Sequence, residues 1–139
     1  TEAILDGRPI EVFNHGNHSR DFTYVSDVVE AVVRVSDRPA VADPAWQAEA
    51  PDPGTSNAPF RIYNVGNNAP ARLNEYIAAL ETALGRTANK IMLPLQPGDV
   101  PDTYADTTRL RAATEARPST PIETGVAQFV SWYRKYYRR

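Results

Sequence analysis

At 139 residues, with 42% of them hydrophobic, the chain is one ordinary domain or a large piece of one and can bury a core, so a disordered chain is excluded despite its negative mean hydropathy. A formal net charge of −2 supplies no long-range pull toward nucleic acid or an anionic membrane, and neither is expected as a partner. The absence of cysteine removes disulfides, thiolate metal sites and cysteine nucleophiles together, which is compatible with a cytoplasmic protein.

Thr1 to Leu5 reads as the end of a helix already under way, stopped at Gly7 by a left-handed cap. It has no charged segment followed by an apolar one, so it does not read as a signal peptide. No apolar run reaches the length of a membrane span. A chain that opens inside a helix is expected to be a piece of a longer protein. Pro9 to Phe13 alternates apolar and polar residues, which predicts a short strand, and Asn14 to Asn17 is a polar turn. Arg20 to Val25 is extended. Asp27 suits an N-cap, and Val28, Val29, Val32, Val33 and Val35 follow at helical spacing. So many β-branched residues must be held helical by burial rather than by propensity.

Residues 39–59 carry five prolines with Gly54, Thr55 and Ser56 among them, which predicts a long surface loop without regular structure. Phe60 to Gly66 is the clearest strand in the chain. Leu73, Ile77, Leu80 and Leu84 mark one face of a helix that Gly85 closes. Lys90 to Leu95 predicts another short strand. Asp106 or Thr107 caps a short helix through Leu110. Val126, Val130, Tyr133 and Tyr137 line one face of a last helix, whose tail places Arg134, Lys135, Arg138 and Arg139 at the negative end of its dipole. Strands alternating with helices predict an α/β fold over residues 1–139.

Chemistry is sparse. The chain has no G-x-G-x-x-G, no phosphate-binding P-loop and no G-x-S-x-G elbow, so no cofactor loop or nucleophile is expected within it. His15 and His18 sit in a polar turn without a third ligand at metal-site spacing, and they read as solvated. Arg20 is the best candidate for function. A planar cation on a strand end suits a phosphate, and the neighbouring Phe22 suits a nucleobase or sugar face. The alternative for Arg20 is a surface cation or an ion pair with Asp21 or Asp27. Asp99, in the turn Gln96-Pro97-Gly98-Asp99, either caps that turn or accepts hydrogen bonds from ribose hydroxyls. Asn64 reads as a tie to loop backbone.

Five runs in order resemble the C-terminal part of the nucleotide-sugar epimerases of the extended short-chain dehydrogenase type. They are Arg20-Asp21-Phe22-Thr23-Tyr24-Val25-x-Asp27-Val28, Tyr63-Asn64-Val65-Gly66-Asn67, Gln96-Pro97-Gly98-Asp99-Val100, Tyr104-Ala105-Asp106-Thr107 and Trp132-Tyr133-Arg134-x-Tyr136-Tyr137. The approach Ser56 to Arg61, the Gln96 turn and the ending resemble UDP-glucuronate 4-epimerases among them. The resemblance implies the last strands and helices of a Rossmann-type sheet plus the small substrate domain. It implies NAD bound by an N-terminal part not present here, and a catalytic Tyr-x-x-x-Lys pair upstream, so no catalytic residue is named in this chain. It implies a UDP-sugar ligand with Arg20 at the diphosphate, Phe22 near the nucleotide, Leu73 in the uridine pocket and Asp99 at the ribose. Many relatives carry Arg where Gln96 stands, although glucuronate-type epimerases often have Gln, and they commonly carry Gly at the position of Glu115. The resemblance further implies a homodimer for the full-length protein, and an isolated half is expected to self-associate or exchange strands. Alternatives are a UDP-glucose 4-epimerase, a nucleotide-sugar 4,6-dehydratase, or a stand-alone nucleotide-binding module.

Overall fold

The computed structural model describes every residue, Thr1–Arg139. Five helices and four short strands follow in the order α1 (Glu2–Asp6), β1 (Ile10–Val12), β2 (Ser19–Arg20), α2 (Val25–Ser36), β3 (Ala71–Arg72), α3 (Leu73–Leu84), β4 (Lys90–Met92), α4 (Thr108–Thr114) and α5 (Ile122–Tyr137). A 3-10 turn at Phe13–Gly16 follows β1. Strand β1 pairs in parallel with β4, placing Ile10 opposite Lys90 and Val12 opposite Met92. A parallel pair needs a long crossover, and α3 lies within it. Strand β2 pairs antiparallel with β3, Arg20 opposite Ala71.

Two clusters hold the fold. In the larger, Ile77, Leu80 and Leu84 of α3 meet Val126 and Val130 of α5, with Ile4, Val12 and Ala88 completing it. The 3–4 spacing along both helices produces this stripe, and burying such side chains is worth about 1.5–3 kcal/mol each before entropy is counted. The smaller cluster joins Ala31 of α2 to Leu110 of α4 and to Ala116. Gly7 and Gly85 close α1 and α3 in left-handed conformations, as their positions predict. Helix α4 runs on past Leu110 to Thr114.

Three expectations are corrected. Phe60–Gly66 is not a strand: its pairing is one isolated bridge, Thr55 with Arg61, and one further bond from Ile62 N to Gly54 O at 3.0 Å. A ladder needs a neighbouring strand, and this segment has none. The alternation nevertheless sorts the side chains, because Tyr63 and Val65 pack on the smaller cluster while Ile62 stays exposed. The valines of α2 are not a buried face. Ala31 is the buried residue, and Val25, Val29, Val32 and Val33 are all more than half exposed. Asp27 is not the N-cap, since the helix begins two residues earlier and Tyr24 holds that position.

The proline-rich loop contains no helix or strand, as expected, yet it is tied down. Asp43 N donates to Ser56 O at 2.8 Å, Arg61 pairs with Asp43 at 3.7 Å, and Arg109 of α4 grips the Asp52 carboxylate with both Nη atoms. Gly54 N donates to the same carboxylate at 2.9 Å.

Candidate nucleotide-sugar site

The chain entering β2 places His18 and Arg20 two residues apart, so their side chains leave the same face of an extended segment. Asp99 comes to that face from a turn 79 residues further on. The turn forms because Gly98 takes a φ of 84°, letting Asp99 N donate to Gln96 O at 3.1 Å. Asp99 Oδ1 accepts from Val100 N at 2.8 Å and from Arg20 Nη2 at 3.4 Å. Oδ2 lies 3.2 Å from His18 Nε2. The structure therefore brings Arg20 and Asp99 together, and Asp21 and Asp27, weighed as partners for Arg20, are engaged elsewhere.

Arg20 is strongly held. Nη1 donates to Ser19 O at 3.0 Å and to Pro101 O at 2.7 Å, and Nη2 donates to Val100 O at 2.7 Å as well as to Asp99. A guanidinium has five N–H donors, so the terminal donors are spent and the Nε proton remains. An incoming anion must compete with the Val100 and Pro101 carbonyls, and that competition couples anion binding to the position of the Gln96–Pro101 turn.

Asp21 points the other way. Its carboxylate accepts from Asn68 N at 3.2 Å and Ala69 N at 3.3 Å. Gly66 makes room for this, since a Cβ there would stand 2.4 Å from Asp21 Oδ2 and 2.6 Å from the Ala105 Cβ. Asn68 Nδ2 donates to Thr107 Oγ1 at 2.6 Å, and Asn64 Nδ2 donates to Asp106 O at 3.3 Å, the backbone tie expected of Asn64.

Phe22 stacks on Tyr76 of α3 with ring centroids 4.6 Å apart and planes 10° from parallel. The pair lines a largely apolar cleft of about 260 Å³ with Tyr24, Pro121, Ile122 and Phe129. Leu73 is half-buried, packs against the main core and donates its N–H to His18 O at 2.9 Å. The Gln96 side chain is exposed on the Asp99 turn. None of the hydrogen bonds of the Arg20 and Asp99 side chains reaches Phe22 or Leu73.

His18 is the residue that sequence reasoning misplaced. It is 6% exposed, not solvated, and its Nε2 is buried without an aligned hydrogen-bond partner. The signal available in the sequence was its two-residue offset from Arg20. Residues Thr23-Tyr24, Ala71-Arg72, Asp106-Thr107 and Thr120-Pro121 precede α2 to α5, so none of these four helices begins after a glycine-rich turn. No helix is long and apolar enough to cross a membrane.

Comparison with known proteins agrees with this layout. Residues 1–66 match the model of the NAD dependent epimerase/dehydratase family. The chain is 48% identical over 139 residues to protein CapI of Staphylococcus aureus, covering 100% of this chain and 42% of that one. It is 45% identical over 139 residues to a Rhizobium meliloti protein named "Probable UDP-glucuronate 4-epimerase", covering 99% of this chain and 41% of that one. Among solved structures, UDP-glucuronic acid 4-epimerase from Bacillus cereus superposes with a TM-score of 0.75 at 21% identity, over 98% of this chain and 38% of that one. The chain thus spans about two fifths of the length of these relatives. It belongs to the NAD-dependent epimerase/dehydratase family and matches the C-terminal part of that family's α/β fold.

Proposed function

We propose that the chain is the nucleotide-sugar-binding portion of a UDP-glucuronate 4-epimerase, a cytoplasmic enzyme supplying UDP-galacturonate for polysaccharide synthesis. The observation that carries this reading is identity running along the whole chain to the Rhizobium meliloti relative of that name. The Arg20–Asp99 pair supports it from the geometry. In this reading Arg20 meets the diphosphate by exchanging its bonds to the Val100 and Pro101 carbonyls for phosphate oxygens. Asp99 accepts from the ribose, Phe22 and Leu73 flank the nucleotide, and Gln96 borders the phosphates from the turn. NAD and the Tyr-x-x-x-Lys pair that abstracts the proton belong to a part this chain does not contain, so the chain binds substrate and does not turn it over alone.

The test is a chimaera. Given UDP-glucuronate and NAD, the 139-residue chain by itself should form no UDP-galacturonate. Joined to the part of the Rhizobium meliloti relative that it does not span, it should. Arg20→Ala in the chimaera should raise KM about tenfold or more, and Arg20→Lys should not restore it, because an ammonium cannot fork across two phosphates. Turnover by the chain alone, or a chimaera that acted only on dTDP-glucose, would overturn the reading.

A further inference from the structure

We propose that His18 is a positioning residue that sets the preference for ribonucleotides over deoxyribonucleotides, acting through Asp99; this rests on the reading of Asp99 as the ribose contact. Asp99 is held at Oδ1 and closely approached at Oδ2. Val100 N and Arg20 Nη2 hold Oδ1, and His18 alone stands at Oδ2, 3.2 Å away. At that distance an unprotonated ring nitrogen would face a carboxylate oxygen lone pair to lone pair. With its proton on Nε2, His18 is the donor within reach of Oδ2, and the two are not aligned as a hydrogen bond in the structure. Because Nε2 is buried without an aligned partner and Asp99 Oδ2 is the acceptor beside it, a small turn that completes this bond is favourable, and leaving it unmet costs stability.

The rest of His18 is anchored too. Its carbonyl accepts from Leu73 N at 2.9 Å, so one residue joins the start of α3 to the Asp99 turn. Asp99 is 32% exposed, which leaves the outward side of its carboxylate for a ligand hydroxyl. An acceptor confined by its neighbours loses its partner outright when the ligand lacks that hydroxyl, and this is the arrangement that rejects deoxy analogues most strongly. Without His18, Oδ2 can turn to water and the penalty falls.

Two measurements on the chain test this. By calorimetry, the wild type should bind UDP more tightly than 2′-deoxy-UDP. His18→Ala should weaken UDP about tenfold while leaving 2′-deoxy-UDP nearly unchanged, and His18→Gln, whose amide can donate from a similar place, should recover most of the ratio. Without ligand, a double-mutant cycle of His18→Ala and Asp99→Asn in urea should be less than additive, the double variant losing little more than the worse single one. Additive losses, or a ratio that His18→Ala leaves unchanged, overturn the inference. A wild-type chain that bound neither nucleotide would overturn the ribose role of Asp99 as well. Binding with an unchanged ratio would overturn the role of His18 alone.

Discussion

Asp27 and Thr120 are joined by two hydrogen bonds: Thr120 N donates to Oδ2 at 2.9 Å and Thr120 Oγ1 to Oδ1 at 2.8 Å. Ser119 N adds a third to the same carboxylate at 3.1 Å. The first turn of α2 is thereby fixed to the segment that starts α5, beside the cleft of Phe22 and Tyr76. Replacing Asp27 with Ala leaves three donors without their acceptor on a half-buried surface. Asp27→Ala should cost about 2 kcal/mol in urea unfolding, and Asp27→Asn, which keeps one acceptor, clearly less. Equal losses for the two variants would show that the carboxylate's hydrogen bonds are not what Asp27 contributes.

Glu115 ends α4 in the left-handed conformation with φ 59°. A side chain with a Cβ is strained there by roughly 1–2 kcal/mol, and glycine is not. This is the position at which the resembled family commonly carries Gly, so the chain keeps the turn and bears the strain. Glu115→Gly should raise stability by about 1 kcal/mol, less the entropy glycine adds to the unfolded chain. A fall in the urea midpoint would mean that Glu115 makes a contribution its backbone does not reveal.

The helical stripes were legible because their cause is local. Ile77, Leu80 and Leu84 repeat with the helix and are buried where their spacing puts them, and so are Val126 and Val130, while Tyr137, further along the face expected of α5, stays 53% exposed. The Phe60–Val65 alternation told which side chains turn inward but not whether a ladder forms, since a ladder depends on a strand elsewhere. Arg20 and Asp99 are 79 residues apart, and no spacing argument pairs them. Residue chemistry nominated each of them singly, and the five ordered runs assigned both to one ligand, through resemblance. His18 was misread because composition describes a turn as it leaves the strand. Asp99, which stands 3.2 Å from its Nε2, comes from far along the chain, where no local pattern shows it.

Asp52 gives the proline-rich loop a pH dependence with a definite sign. The Arg109 hydrogen bond first, and then the Gly54 N–H, hold its carboxyl below the ordinary 3.8. A carboxylate whose folded value is depressed contributes fully above its unfolded value, and that contribution is lost as pH falls through the folded one. The clamp should therefore be constant above about pH 5 and should release below 3.8. Hydrogen-exchange protection of Gly54 N and Ile62 N reads it, the latter through its bond to Gly54 O at 3.0 Å. Asp52→Asn should lower that protection at neutral pH and flatten its change with acid. Protection that persisted in the variant would place the loop's restraint in the Asp43 contacts instead.

Helix α2 carries the last expectation. Val25, Val29, Val32 and Val33 lie along one side of it, all more than half exposed, while Ala31 on the opposite side is buried. Water contact with four adjacent valines is unfavourable by about 25 cal/mol per Å² of apolar surface, and nothing in this chain relieves it. We predict that in the whole enzyme of the proposed function this face lies against the part that binds the dinucleotide. The chain alone can cover it only with another copy, so it should self-associate at micromolar concentration by light scattering. Val29→Lys with Val33→Lys should return it to monomer, since a charge cannot be carried into such a contact without a partner. The same pair of substitutions in the chimaera should abolish turnover by preventing the two parts from docking. A wild-type chain that stayed monomeric, with a double variant still active in the chimaera, would mean that the valine face meets neither partner.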